Sequence, residues 1–219
     1  MQVIVGQSAL VGDFASYVER FGALEVAWPV NSAPKAARLE RWRSQAPEGF
    51  VWSVAFPDDV AAIHEVEPTA ARLSETLSVA AALSAHWLLL KTPPAARPQA
   101  RVKERLKRFS ELAAETGRSV VWEPSGLWEA RAASDFAAEL GMTLAVDLSR
   151  EALEPSGIVY TRLRARGRAL GESQLLRLLE RLADAEQVIV IVDGRGADQV
   201  QRWLQQELQF SDDSEAASA

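Results

Sequence analysis

Cysteine is absent from the 219 residues. Disulfides, thiolate nucleophiles and cysteine-ligated zinc are therefore excluded. Histidine occurs only at His64 and His86, far apart and without ligand spacing, so a histidine-based metal centre has no support. Neither lies near a serine in a nucleophile elbow, which leaves a hydrolase triad unsupported. There is no GxGxxG and no GxxxxGK followed by Ser or Thr, so dinucleotide and P-loop sites gain nothing from the sequence. No apolar run approaches the about 20 residues that span a bilayer. The start, MQVIVGQSAL, has no basic region and meets Gly6 and Gln7 too early for a signal peptide. A soluble cytoplasmic protein is the expectation. Positive charge is also scarce. A net charge of −6 disfavours general nucleic-acid binding, while leaving room for a local basic patch.

What is present is enough apolar residue, 48%, to build a sizeable core. Short apolar runs alternate with longer amphipathic ones. QVIVG, ALEVAW, FVWSVAF, HWLLLK, SVVWE, TLAVDL, IVYTRL and QVIVIVD read as strands, several of them continuous as in parallel strands buried on both faces. Between them lie helical patterns. Phe14, Tyr17, Val18 and Phe21 share one face, with Asp13 as N-cap; Ser32 and Pro34 open a second helix carrying Leu39 and Trp42. Further helices carry Leu73, Leu77 and Ala81; Val102, Leu106, Phe109 and Ala113; and Phe136, Ala137 and Leu140. After Asp147 there is room only for about one turn near Ser149 to Leu153, before two final helices.

Strict alternation implies right-handed parallel crossovers. Eight units close most simply into a compact (β/α)8 TIM-type barrel with a reduced sixth helix; an open doubly wound sheet is the alternative. A single domain over 1–209 is expected, followed by an acidic, aperiodic tail over 210–219.

Barrels work at the C-terminal ends of their strands. Six of the eight runs deliver an ionisable group there: Glu25, Lys91, Glu123, Asp147, Arg162 and Asp193. Apposed carboxylates separate one another's pKa values, which makes Glu25, Glu123 and Asp147 candidate catalytic groups. Lys91 and Arg162 would orient a ligand, and Trp28 and Trp128 would give flat apolar walls. Against this stands the plain reading that strand ends meet water and charges tolerate it. Arg162, Arg164, Arg166 and Arg168 crowd RLRARGR, and Asp193, Gly194 and Arg195 begin DGRG at a helix N-terminus. Loops after strands seven and eight often hold phosphate. A solvated basic loop, paired with Glu172 or the acidic tail, is the competing reading. His86 reads as packing, as do Trp42, Trp52, Trp87, Trp122 and Trp203. No cofactor is expected; a divalent metal on Glu25, Glu123 and Asp147 is the less favoured option.

The order of LEVAW, RWRSQAPEGFVWSVAF, LLLKTPP, VVWEPSGLW, AVDLS, YTRLRARG and VIVIVDGRGADQVQRW resembles the YecE-like family, domain of unknown function 72, from Val3 to about Leu208. The resemblance implies a TIM-barrel-like fold and no established reaction. Against the family's VEIN.TFY, Glu25 matches, while Ala27, Pro29, Val30 and Asn31 replace Asn, Thr, Phe and Tyr. The Lys of F.VK falls on Ala55, and QLPP becomes KTPP with Pro93 and Pro94. WEPRG.W keeps Trp122, Glu123, Pro124, Gly126 and Trp128 but has Ser125 for Arg. Asp147 matches. YxRLHG keeps Tyr160, Arg162 and Leu163, with Arg164 and Ala165 for His and Gly; the final Asn position is Asp193-Gly194. Lys91 and Arg164 restore charge from neighbouring positions. Two functional readings remain open. One is a barrel binding a small anionic, phosphate-bearing or sugar-like ligand, with acid–base chemistry through Glu25 and Glu123. The other is a non-catalytic barrel that only binds a ligand or a protein partner. Oligomeric state cannot be read from these residues.

Overall fold

The structure is a computed structural model that describes residues 1–30, 32–165, 170–194 and 196–216, with side chains as far as Glu207. Its strands pair in sequence order around a closed barrel: β1 (Gln2–Gln7), β2 (Ala23–Val26), β3 (Val51–Ala55), β4 (Trp87–Lys91), β5 (Ser119–Glu123), β6 (Thr143–Val146), β7 (Gly157–Arg164) and β8 (Ala185–Asp193). Every pairing is parallel. β1 and β8 pair from Gln2–Gln187 through Gln7–Val192, which closes the sheet and rules out the open alternative.

The helices are α1 (Phe14–Val18), α2 (Ala36–Gln45), α3 (Asp58–Ala61), α4 (Ala70–Leu83), α5 (Ala100–Ala114), α6 (Ala130–Glu139), α7 (Glu172–Arg181) and α8 (Ala197–Ala216). Asp13 caps α1 through Ser16 N, as expected. α2 starts later than expected. Ser32 instead donates its hydroxyl and its N–H to Pro29 O, closing a turn, and α2 begins only after Lys35. The one-turn helix α3 was not anticipated; Pro57 and the acidic Asp58 and Asp59 at its start favour a helix N-terminus. Between β6 and β7 the described backbone has only turns, in which Arg150 N and Glu151 N donate to Asp147 O, so the reduced sixth helix is reduced to nothing. A cleft of about 240 Å³, lined by Met142, Leu144, Val146, Leu153 and Ile158, lies where that helix would pack. α8 carries the backbone to Ala216, into the segment 210–219 set aside as a tail.

Two apolar cores follow from strand periodicity. Residues facing outward, such as Leu24, Trp52, Leu88, Leu90, Trp122, Val188 and Val190, pack under the helices. Those facing inward, Ala23, Ala55, Trp87, Leu89, Val121, Ala145, Tyr160, Ile189 and Ile191, fill the barrel. Tyr17 ties α1 to the barrel, since its buried hydroxyl donates to Ala23 O and accepts from Gln7 N. Gly6 is required on β1, where a Cβ would fall 2.1 Å from Ala23 O on β2.

The turn after β5 depends on Gly126. Its φ is +81°, and a Cβ there would meet Pro94 Cα and O at 2.8 Å. Gly126→Ala is expected to lower unfolding stability by about 1–3 kcal/mol from the backbone conformation alone. Urea denaturation measures this; an unchanged midpoint would show that the loop relaxes freely.

Candidate functional site

Inward parity continues past the apolar layer. From Ala23, Leu89, Val121, Ala145, Tyr160 and Ile191, a step of two residues reaches Glu25, Lys91, Glu123, Asp147, Arg162 and Asp193. All six charges therefore leave the strands on the barrel's inner face, and Arg164 follows Arg162 by the same step. Register brings Lys91 beside Glu123 and Arg164 beside Asp193.

Arg162 is the centre. Its Nε donates to Glu25 Oε1 at 2.9 Å and Nη2 to Glu25 Oε2 at 2.9 Å, a bidentate pair. Its Nη1 donates to Glu123 Oε2. All three side chains are buried. Glu123 Oε1 accepts from Arg164 Nη2 at 2.8 Å. Tyr160 Oη is 2.8 Å from Glu25 Oε1 and 2.9 Å from Ser53 Oγ. A phenol has one proton, so it goes to the carboxylate, and Ser53 donates to the phenol oxygen. Asp147 is separate: Oδ1 accepts from Ser149 N and Oγ, Oδ2 accepts from Arg164 N, and Arg150 Nε lies 3.2 Å from Oδ2 as an ion pair.

Burial pushes the Glu25 carboxyl above its ordinary value; Arg162 and Tyr160 pull it down without offsetting that. Burial works against the Arg162 cation too, but Glu25 and Glu123 more than compensate and hold it charged. Two acids compete for one central cation, which reconciles the two directions. Burial and the Glu25 charge push the Tyr160 phenol well above its usual value.

Above this layer an open basin of about 890 Å³ is lined by Lys91, Glu123, Arg162, Arg164 and Asp193, together with Ser8, Asp58 and His64. Ser8 Oγ donates to Asp193. Lys91 has no ion-pair partner among the described residues. A neighbouring cleft of about 500 Å³ is lined by Trp128, Ser125, Asp147, Arg150 and Arg164.

The chain compares with known proteins as follows. Residues 11–216 match the profile described as "Protein of unknown function DUF72". The chain belongs to the DUF72 family. A DUF72 family protein from Enterococcus faecalis V583 superposes with a TM-score of 0.77 at 13% identity, over 95% of this chain and 96% of that one. One from Thermotoga maritima MSB8 gives 0.71 at 14% identity, over 94% and 100%. A xylose isomerase domain containing protein from Salmonella typhimurium LT2 gives 0.56 at 14% identity, over 95% and 96%, a likeness of fold. A comparison with curated proteins finds no match.

In this DUF72 barrel Glu25, Glu123, Arg162 and Arg164 form one network, with Lys91 and Asp193 on the basin above it. Trp28 lies off the basin, in a cleft that it lines with Glu25, Trp42 and Arg38, and its Nε1 donates to Glu75 on α4. Trp128 borders the side cleft and spends its N–H on Ala96 O. Gly194 lines a hollow with Asp193, Asp198 and Arg20, the last paired to Asp198. Arg166, Arg168 and Arg195 lie outside the described residues, as does Asn31. The Arg162 guanidinium occupies the space between Glu25 and Glu123 that a shared metal would need. No cluster of three or more metal-type ligands exists among the described residues.

His64, Asp58 and Ser8 escaped a search confined to strand ends, because they arrive on the segments that follow β3 and β1. The Pro57-Asp58-Asp59 helix start was the available signal for the first two. No described helix is long and apolar enough to cross a membrane.

Removing the shared cation leaves two buried carboxylates facing one another. Arg162→Met is expected to cost about 3–5 kcal/mol at neutral pH by urea denaturation, and a cost under about 1 kcal/mol would contradict the network's role. Glu25 supplies a pH signature. Its folded pKa is above the ordinary 4.5, so between those values the native state binds more protons than the unfolded state. Its contribution to stability therefore falls as pH rises through that window. Wild type should gain on Glu25→Gln as pH drops from neutral toward about 4.5; parallel curves across the window would refute this.

Proposed function

We propose that this DUF72 barrel binds a small anionic or sugar-like ligand in the rim basin, with Lys91 and Arg164 as its orienting cations. The observation that carries the reading is the state of Lys91. Register places it beside Glu123, yet both Glu123 oxygens accept from arginine, so this lysine lines the basin without an ion-pair partner among the described residues. An unpaired ammonium on the wall of a basin is free to make charge-assisted hydrogen bonds to an anionic ligand. Glu123 is the carboxylate positioned for acid–base work, because it borders the basin. Glu25 borders a different cleft and serves to hold Arg162. The non-catalytic reading rests on a separate observation, that both Glu123 oxygens are already committed.

Thermal denaturation with panels of sugar acids and phosphorylated sugars tests the binding reading, since a ligand at a hundred times its Kd adds about 2.7 kcal/mol. Lys91→Ala should bind the best such compound at least about tenfold more weakly with its ligand-free Tm unchanged. Equal affinity in the variant would sink the assignment. If wild type transforms the bound compound and Glu123→Gln binds but does not transform it, the barrel is an enzyme. Binding without conversion in wild type selects the non-catalytic reading.

A further inference from the structure

The rim basin and the side cleft meet at two residues, Ser125 and Arg164, and no other residue lines both. Arg164 is held unevenly. Its N–H donates to Asp147 Oδ2 at 3.1 Å and its carbonyl accepts from Arg150 Nη2 at 3.4 Å, so the backbone is pinned from the cleft side. Its side chain is 44% exposed and tied by one ion pair, to Glu123 Oε1. Glu123 is buried, and it keeps Arg162 when Arg164 leaves. The guanidinium is thus the less firmly tied end of a residue whose backbone is pinned.

The two hollows differ in chemistry. The basin offers the unpaired Lys91 ammonium. The cleft offers Trp128, whose indole N–H is already given to Ala96 O at 2.6 Å, so only its ring remains available. That ring is braced by Trp122 and Phe136. Both oxygens of Asp147 are already engaged, so the cleft presents a ring surface beside Glu151 and an Arg150 guanidinium of which Nη1 alone has no recorded partner among the described residues. At the junction the Ser125 hydroxyl has no hydrogen-bond partner among the described residues.

We propose, building on the binding reading above, that the ligand is an elongated acid of two linked cyclic units. Its carboxylate lies by Lys91, its second ring lies on Trp128, and Arg164 is the partition it displaces. Sugar rings suit this arrangement, because an aromatic face takes up their C–H surface while guanidinium groups take their hydroxyl oxygens.

Isothermal titration of the full chain with galacturonic acid and with digalacturonic acid tests the proposal. Wild type should bind the two-unit acid at least about tenfold more tightly, equivalent to about 1.4 kcal/mol. Ser125→Phe, a neutral plug at the junction, should erase that preference, so that the variant binds the two acids alike, while Ser125→Ala should retain the preference. Equal affinities of wild type for the two acids, or a preference that survives the plug, would overturn the two-unit proposal and leave the binding reading standing. If neither acid binds wild type, the two-unit acid is wrong as ligand class; failure of the whole sugar-acid and sugar-phosphate panel would remove the binding reading as well.

Discussion

One guanidinium organises the polar end of this barrel. Arg162, on β7, reaches across the interior to Glu25 on β2 and Glu123 on β5, so strands that are not neighbours in the sheet are joined through a side chain. Taking three charges out of water is costly, and a buried ion triad is weak evidence of net stability. Its consequence is constraint. Bidentate pairing fixes the Arg162 plane against Glu25, and Tyr160 and Ser53 complete the remaining hydrogen bonds. With one cation between two acids, Glu25 takes the deeper place and Glu123 the place open to the basin.

This polar layer rests on an apolar one built by the same rule. Trp87 and Tyr160 meet across the barrel with ring centroids 6.0 Å apart, and small residues at Gly6, Ala23, Ala55 and Ala145 make room for them. The Tyr160 hydroxyl is where the layers join. Its ring belongs to the apolar core and its oxygen to the Glu25 cluster, and burial beside that carboxylate keeps it a phenol.

Much of the fold was legible because strand periodicity is a local property. The eight apolar runs are the eight strands, and the rim charges share the parity that faces them inward. Closure was inferred from counting units, and the β1–β8 pairing realises it. The partners of each charge were not legible. Glu25 and Arg162 are distant in sequence, and only the barrel's radius decides that they touch. Trp28 shows the same limit: its place near a strand end suggested a wall, and it lines a cleft with Glu25, but its bond to Glu75 on α4 could not be read from the sequence. α3 was missed because a single turn carries too little periodicity to separate helix from loop.

The network also divides labour between saturation and exposure. Glu25, Arg162 and Tyr160 have their hydrogen-bonding groups engaged inside the barrel, where movement would strand a buried charge. Lys91 and the Arg164 guanidinium have no such hold. Both leave their strands by the same inward step, yet one further turn of the pleat takes Arg164 from the buried layer of Arg162 into solvent. Glu123 stands between the regimes, with one oxygen on the buried cation and the other on the half-exposed one. A ligand that draws Arg164 away changes the charge around Glu123 without disturbing the core beneath it. A rigid layer that survives the exchange of its outermost partner is the physical condition for a site that responds to what it binds.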